Sequence, residues 1–190
     1  MYLTKEALYQ EYVINQKSDR EIALKYGITR STVTKRRNYH GIPTRHGTGR
    51  TGEIKALKRL EQLGFEVMDM NEEAKLFPFD ILVNRFLRVE VKASAVCEER
   101  FTFCLSDKPE LDNKESPFRI TLPNGRSRKL YRKTCDYLIL LGMSEEFGDQ
   151  YFVIPSDAIP DHIGSLTMQA NPKKQRHLNI YRNAWDSMRW

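Results

Sequence analysis

Hydrophobic patterning divides the chain into two textures. From Thr4 to Gly41 apolar residues recur at three- and four-residue intervals, the spacing of helices. Leu8, Tyr12 and Val13 form a helical stripe behind Thr4, a residue type whose hydroxyl caps helix N-termini. Ser18 followed three residues later by Glu21 is a capping-box pattern, and it opens a second helix through Ile22, Ala23 and Tyr26 that Gly27 stops. A third helix is predicted from about Arg30 to His40, with Val33 facing inward and Gly41 as its stop.

Residues 43–52, PTRHGTGRTG, carry no apolar side chain except Pro43 and read as a linker. Beyond it the texture changes. Residues 53–63 predict an amphipathic helix, with Ala56, Leu57, Leu60 and Leu63 on one side and Gly64 as terminator. Short apolar runs then predict strands at 65–68, 77–83, 86–94, 101–105, 136–142 and 151–155. Asn84-Arg85 is a turn between the second and third of these, and Asn124-Gly125 a hairpin turn within 119–133. Residues 106–118 lack a helical stripe and read as a mobile loop, and the aromatic stretch 181–190 reads as a docking helix. The expected organisation is a three-helix module over 1–42, a basic linker over 43–52 and an α/β domain over 53–190.

Charge sharpens this division. Residues 1–52 hold ten Lys and Arg against four acids, which leaves +6, the whole net charge of the chain; the remainder balances to zero. A module that neutralises phosphates needs such an asymmetry, whereas a merely solvated surface does not. No apolar run approaches the ~20 residues of a membrane span, and the N-terminus lacks the layout of a signal peptide, so a cytoplasmic chain is expected, nucleoid-associated or of phage or mobile-element origin. The three cysteines, Cys97, Cys104 and Cys135, lack zinc spacing; Cys104 and Cys135 read as buried thiols. His162 and His177 lack ligand spacing and read as structural or surface residues.

The stretch REIALKYGITRSTVTKRRNYHGI has the parts of a helix-turn-helix: small Ala23 at the helix crossing, Gly27 at the turn, Ile28 and Val33 as shared core. It resembles the modules of intron-associated homing endonucleases and of many small DNA-binding proteins. The resemblance implies that Thr29, Arg30, Ser31, Thr34, Lys35 and Asn38 face a DNA major groove, where Arg and Asn read bases and the others hold phosphates. Arg36 and Arg37 stand where such motifs carry an apolar side chain. Either Ile42 supplies that contact or one Arg lays its stem along the core. Arg45, His46 and Arg50 either follow a phosphate backbone or lie in a minor groove, as basic arms do, or belong to a simple solvated linker. The run 119–133, with six bases and no acid, adds Arg126, Arg128 and Lys129 as candidate phosphate contacts.

The candidate chemistry lies between residues 53 and 92. Glu53 shares the apolar face of its helix, a costly position for a carboxylate unless it is paired or cation-bound. Glu90 and Lys92 share one face of their strand by the two-residue period, and a hairpin places Asp80 on the neighbouring strand beside Glu90, within ~5 Å. An ordinary hairpin bearing surface Glu and Lys is the alternative for Glu90 and Lys92 taken alone. The assembly Glu53…Pro78-Phe79-Asp80…Glu90-Val91-Lys92 resembles the PD-(D/E)XK nuclease superfamily, which includes archaeal Holliday-junction resolvases and many restriction enzymes. That resemblance implies a restriction-endonuclease-like αβββαβ core with a mixed central sheet. It further implies a Mg2+ ion, replaceable by Mn2+, held by Asp80, Glu90 and the Val91 carbonyl. Lys92 then orients or deprotonates the attacking water, and Glu53 binds directly, through water or at a second metal.

The expected activity is therefore metal-dependent hydrolysis of double-stranded DNA, directed by the N-terminal module, with no membrane partner and no small-molecule cofactor. Cutting both strands would favour a homodimer. A junction-resolving enzyme on the same fold and a non-catalytic DNA-binding regulator are the alternatives.

Overall fold

The computed structural model describes residues 2–44, 47–73, 77–107, 116–171, 173–174 and 177–189. Arg45 and His46, most of the expected loop at 106–118 and the side chain of His177 lie outside the described residues. The chain divides into two compact units, Met1–His46 and Gly47–Trp190.

In the first unit α1 (Lys5–Tyr9) begins at Thr4, whose hydroxyl accepts the Ala7 N–H at 3.2 Å, and runs on as a π-helical turn over Gln10–Ile14. Ser18 and Glu21 close a reciprocal capping box on α2 (Asp19–Tyr26), which ends at Gly27 in the left-handed conformation, φ +65°. Thr29 caps α3 (Arg30–Tyr39). Leu8, Tyr12, Ile22, Ala23, Val33 and Ile42 form the apolar centre. Both ways of completing this centre occur together. Ile42 is buried, and so is Arg37, whose guanidinium lies over the Tyr12 ring and grips Asp19 through two hydrogen bonds of 2.7 and 2.9 Å. A bidentate, desolvated pair of this kind loses its compensation if either partner is removed. Arg36 instead stacks on Tyr2 and donates to the Leu3 carbonyl.

The second unit opens with α4 (Thr48–Gln62). Residues 48–52, expected to be linker, are thus the first helical turn, because nothing in TGRTG prevents helix once a packed face follows it. Arg50 moves with them from a free arm into the helix. The central sheet is five-stranded and mixed, in the order β1 (Val67–Asp69), β2 (Ile81–Val83), β3 (Leu87–Ala95), β7 (Tyr137–Met143), β8 (Gln150–Pro155). Only β3 and β7 run parallel; the other pairs are antiparallel. Positive φ at Asn84 and Arg85 makes the tight β2–β3 turn. A four-residue helix, α5 (Met70–Glu73), sits between β1 and β2.

Between β3 and β7 the chain leaves the sheet. The strand expected at 101–105, β4 (Arg100–Cys104), pairs outside the central sheet with β9 (Ser165–Gln169). The hairpin β5 (Arg119–Thr121) and β6 (Ser127–Lys129) follows, turning at Gly125. A short helix, α6 (Tyr131–Thr134), returns the chain to β7. Alternate residues of β7 face opposite layers. Tyr137 and Ile139 join Ala56 and Leu60 of α4, while Leu138 and Leu140 pack with Phe101, Phe103 and Tyr131. Two other expectations change. Cys104 is exposed whereas Cys135 is buried. The C-terminal segment forms 3-10 turns, His177–Tyr181 and Trp185–Met188, rather than an α-helix, although Trp185 and Met188 do dock into the α4-side core. No helix of the described residues is long and apolar enough to cross a membrane.

Gly52 fixes how closely α4 approaches β3. A Cβ built there would meet the Ala93 Cβ at 2.3 Å, whereas one at Gly49 would meet nothing within 4 Å. Gly-to-Ala inside a helix normally stabilises by up to about 1 kcal/mol. Gly49→Ala should follow that rule, more weakly because it lies in the first turn, and Gly52→Ala should reverse it by about 1–3 kcal/mol through overpacking. Urea unfolding of the two variants checks the opposite signs, and two stabilising changes would contradict the close approach.

Candidate active site

The β2–β3 hairpin creates the site by register. Ile81 pairs with Val89, and the Asp80 N–H donates to the Val89 carbonyl at 3.0 Å, so Asp80 lies against the Glu90 segment. The Asp80 carboxylate turns inward, where its Oδ2 accepts the Val91 N–H at 2.8 Å. Glu90 and Lys92 project from the opposite face of β3 to Val89 and Val91, toward the Tyr131 layer. Glu90 is only 1% exposed, and Lys92 Nζ donates to its Oε1 at 2.6 Å.

This crowding shapes the titration of the group. Burial raises the Asp80 carboxyl to a pKa of about 6, with the Glu90 and Glu53 carboxylates adding to the rise while the Val91 N–H and Lys92 oppose it. Burial disfavours the charge on Lys92, but the Glu90 carboxylate, together with Tyr131 and Asp80, outweighs that penalty and lifts its pKa above the ordinary lysine value. Tyr131 is buried beside this pair, its hydroxyl donating to the Leu105 carbonyl at 3.0 Å.

Glu53 reaches the same site from α4, by a different arrangement. Its Oε2 accepts from Arg50 Nη1 at 3.1 Å and from Asn71 Nδ2 at 3.2 Å. The same Asn71 amide lies 3.4 Å from Asp80 Oδ1, so it bridges the two acids. Arg50 also pairs with Asp69 at 2.7 Å and Glu72 at 3.1 Å. Its guanidinium therefore neutralises an acidic flank of the site instead of serving as a phosphate arm. Asp69, Asn71 and Glu72 carried no signal in the sequence beyond a polar connection after β1.

The basic hairpin proves to have two sides. Arg128, expected on a phosphate, is fully buried, and its Nη1 donates to the Asp161 and Ile163 carbonyls at 2.8 and 2.7 Å, which makes it a structural tether. Lys129, one residue on, points the other way. Its Nζ lies 3.0 and 3.1 Å from the Glu90 oxygens and 3.2 Å from the Pro78 carbonyl. It belongs to the site itself. Arg126 is partly exposed, with Nε on the Asp107 carbonyl.

In the first unit Arg30, Ser31, Lys35 and Asn38 are exposed along α3. Thr29 is exposed but its hydroxyl caps the helix. Thr34 is turned toward α2, donating to Asp19 Oδ2 at 2.8 Å, which takes it off the open face.

Among the described residues no three His, Cys, Asp or Glu side chains converge as a ligand set. The donor set fits Mg2+ nonetheless. That ion binds through one or two carboxylates together with waters and substrate phosphate oxygens, and all its ligands are hard oxygens. Asp80 and Glu90 supply such a pair, held on neighbouring segments by the β2–β3 register.

No protein-family model matches the chain, and no curated protein matches its sequence. Among solved structures, a bacterial homing endonuclease, I-Ssp6803I, matches with a TM-score of 0.53 at 18% identity, over 74% of this chain and 90% of that one. The two share a fold: a mixed α/β architecture around a mixed sheet.

Because the Asp80 pKa lies above the value of roughly 3.9 in an unfolded chain, the folded state holds that proton more tightly. Below about pH 4 the group is protonated in both states and nothing is lost. As the pH rises through 6, folded stability falls, by on the order of 2–3 kcal/mol. Asp80→Asn keeps an acceptor for the Val91 N–H and removes the charge. In EDTA it should be more stable than the parent at pH 8 by about 2 kcal/mol, and lose that advantage by pH 4. Urea unfolding at the two pH values measures this, and an equal effect at both would refute the crowded-carboxylate account.

Proposed function

We propose that this chain is a Mg2+-dependent DNA endonuclease of the PD-(D/E)XK type, directed to its target by the N-terminal helices. The observation that carries the reading is the convergence of Asp80 and Glu90 inside the β2–β3 hairpin, with Lys92 from the same strand 2.6 Å from Glu90. The fold shared with a protein described as a bacterial homing endonuclease supports it. So does the order of the core, in which α4, β1, β2 and β3 precede the crossover to a parallel β7.

Asp80 and Glu90, with the Val91 carbonyl, would hold the ion, and Mn2+ would substitute for it. A divalent cation there supplies Lewis acidity, drawing charge from the scissile phosphate and making water a better nucleophile at neutral pH. The Val91 N–H fixes the orientation of Asp80, so the carboxylate is aimed before substrate arrives. Lys92 stays protonated, because Glu90 raises its pKa, and therefore serves to orient water and stabilise the negative charge growing on the phosphate. Glu53, already engaged by Arg50 and Asn71, acts through Asn71 or through water.

In the first unit α2, the Gly27 turn and α3 form the helix-turn-helix, with Arg30, Ser31, Lys35 and Asn38 of α3 facing double-stranded DNA. One site hydrolyses one strand at a time, so cutting both strands of a duplex calls for a homodimer.

The test is cleavage of duplex and branched DNA with Mg2+ or EDTA. The parent should cut only with the metal. Asp80→Ala and Lys92→Ala should lose at least about 10³-fold in rate while binding DNA with unchanged affinity in a gel-shift assay. Full-rate cleavage by either variant would overturn the assignment, and cleavage confined to branched DNA would shift the substrate to junctions.

A further inference from the structure

Lys129 holds a position that this chemistry does not use. It is the last residue of β6, and its ammonium sits among three oxygens, the two of the Glu90 carboxylate and the carbonyl of Pro78, all at 3.0–3.2 Å. Pro78 stands two residues before Asp80, so the segments that supply these oxygens are those of the carboxylate pair itself. Glu90 is 1% exposed, so its charge is met by the two ammoniums that face it rather than by solvent. Three oxygens at such distances around one positive charge are the surroundings of a bound cation.

The two lysines differ in mounting. Lys92 lies on β3, central in the sheet, and belongs to the same strand as the acid it contacts. Lys129 arrives from a two-stranded hairpin outside that sheet, although the two side chains reach solvent to the same degree, 30% for Lys92 and 29% for Lys129. Its stem is long and flexible, and an ammonium is a strong phosphate ligand. A path out of the site is therefore open to Lys129.

We propose that Lys129 is a built-in counter-cation: it occupies the Glu90 oxygens in the DNA-free protein and leaves them for the DNA backbone when substrate arrives. Divalent-metal loading is thereby coupled to DNA loading. The inference rests on the reading of Asp80 and Glu90 as the metal-holding pair. A divalent ion approaching the free protein must displace a positive charge already seated on its ligand. A phosphate beside the site offers that ammonium an alternative partner and frees the carboxylate. By linkage, DNA then tightens metal binding by the same factor as metal tightens DNA binding.

The experiment is Mn2+ binding to the full chain by isothermal titration calorimetry without DNA. It compares the parent with Lys129→Met and Lys129→Gln, which remove the charge, and with Lys129→Arg, which keeps it. Thermal unfolding selects the folded variants. Each charge-removing variant that folds should bind Mn2+ about tenfold or more tightly than the parent, the scale expected when one close competing charge is taken from a partly buried carboxylate, and Lys129→Arg should stay near the parent. An uncleavable phosphorothioate duplex should tighten Mn2+ binding in the parent by a larger factor than in Lys129→Met. Equal or weaker Mn2+ binding in the charge-removing variants, with binding still lost in Asp80→Asn, would overturn the role of Lys129 alone. Absence of Mn2+ binding in every protein, with or without duplex, would overturn the metal-site reading on which it rests.

Discussion

The structure depends on a single electrostatic constraint: two carboxylates, Asp80 and Glu90, are held close together inside a protein, where neither can be fully hydrated. The hairpin register does not allow them to separate, because Asp80 is fastened at its own backbone N–H to Val89 and at its carboxylate to the Val91 N–H. Such a pair is costly unless positive charge is near. Lys92 and Lys129 supply it at Glu90, while Asp80 keeps a pKa pushed up to about 6. A hard cation would relieve the remaining cost, and in the proposed reading that links the energetics of folding to the chemistry of the site.

The surrounding scaffold exists to hold this arrangement still. β3 is covered on one face by α4 and on the other by the layer of Phe101, Phe103 and Tyr131, and it pairs on both edges, so Glu90 and Lys92 project from the most constrained strand of the sheet. α4 approaches β3 closely enough that Gly52 has no room for a side chain, and this contact carries Glu53 to the edge of the site. Arg50, one turn earlier, ties Glu53, Asp69 and Glu72 together and keeps a second group of acids from repelling the first.

Local features of the sequence were the legible ones. The caps at Thr4 and Ser18, the Gly27 stop and the two-residue alternation at Glu90 and Lys92 act within a few residues, and each appears in the structure. Features that depend on distant partners were not legible. The six-base run at 119–133 announced charge but not which side of a strand each base would take, so Arg128 and Lys129 were read alike. One is buried as a tether and the other enters the acid site. Arg50 reads as part of a linker because two of its three carboxylate partners, Asp69 and Glu72, are set by tertiary packing. Asn71 became visible only once α5 brought its amide between Glu53 and Asp80. Thr34 faces DNA by the helix-turn-helix resemblance, which does not show that its hydroxyl has a partner in Asp19.

The most direct measurement is a carboxyl NMR titration of Asp80 in metal-free protein and again with saturating Mg2+. The crowded pair predicts a midpoint near 6 without metal, moving well down when Mg2+ is present, as a bound cation stabilises the ionised form. A midpoint near 4 that Mg2+ leaves unchanged would contradict both the strained carboxylate pair and its assignment as the metal-holding centre.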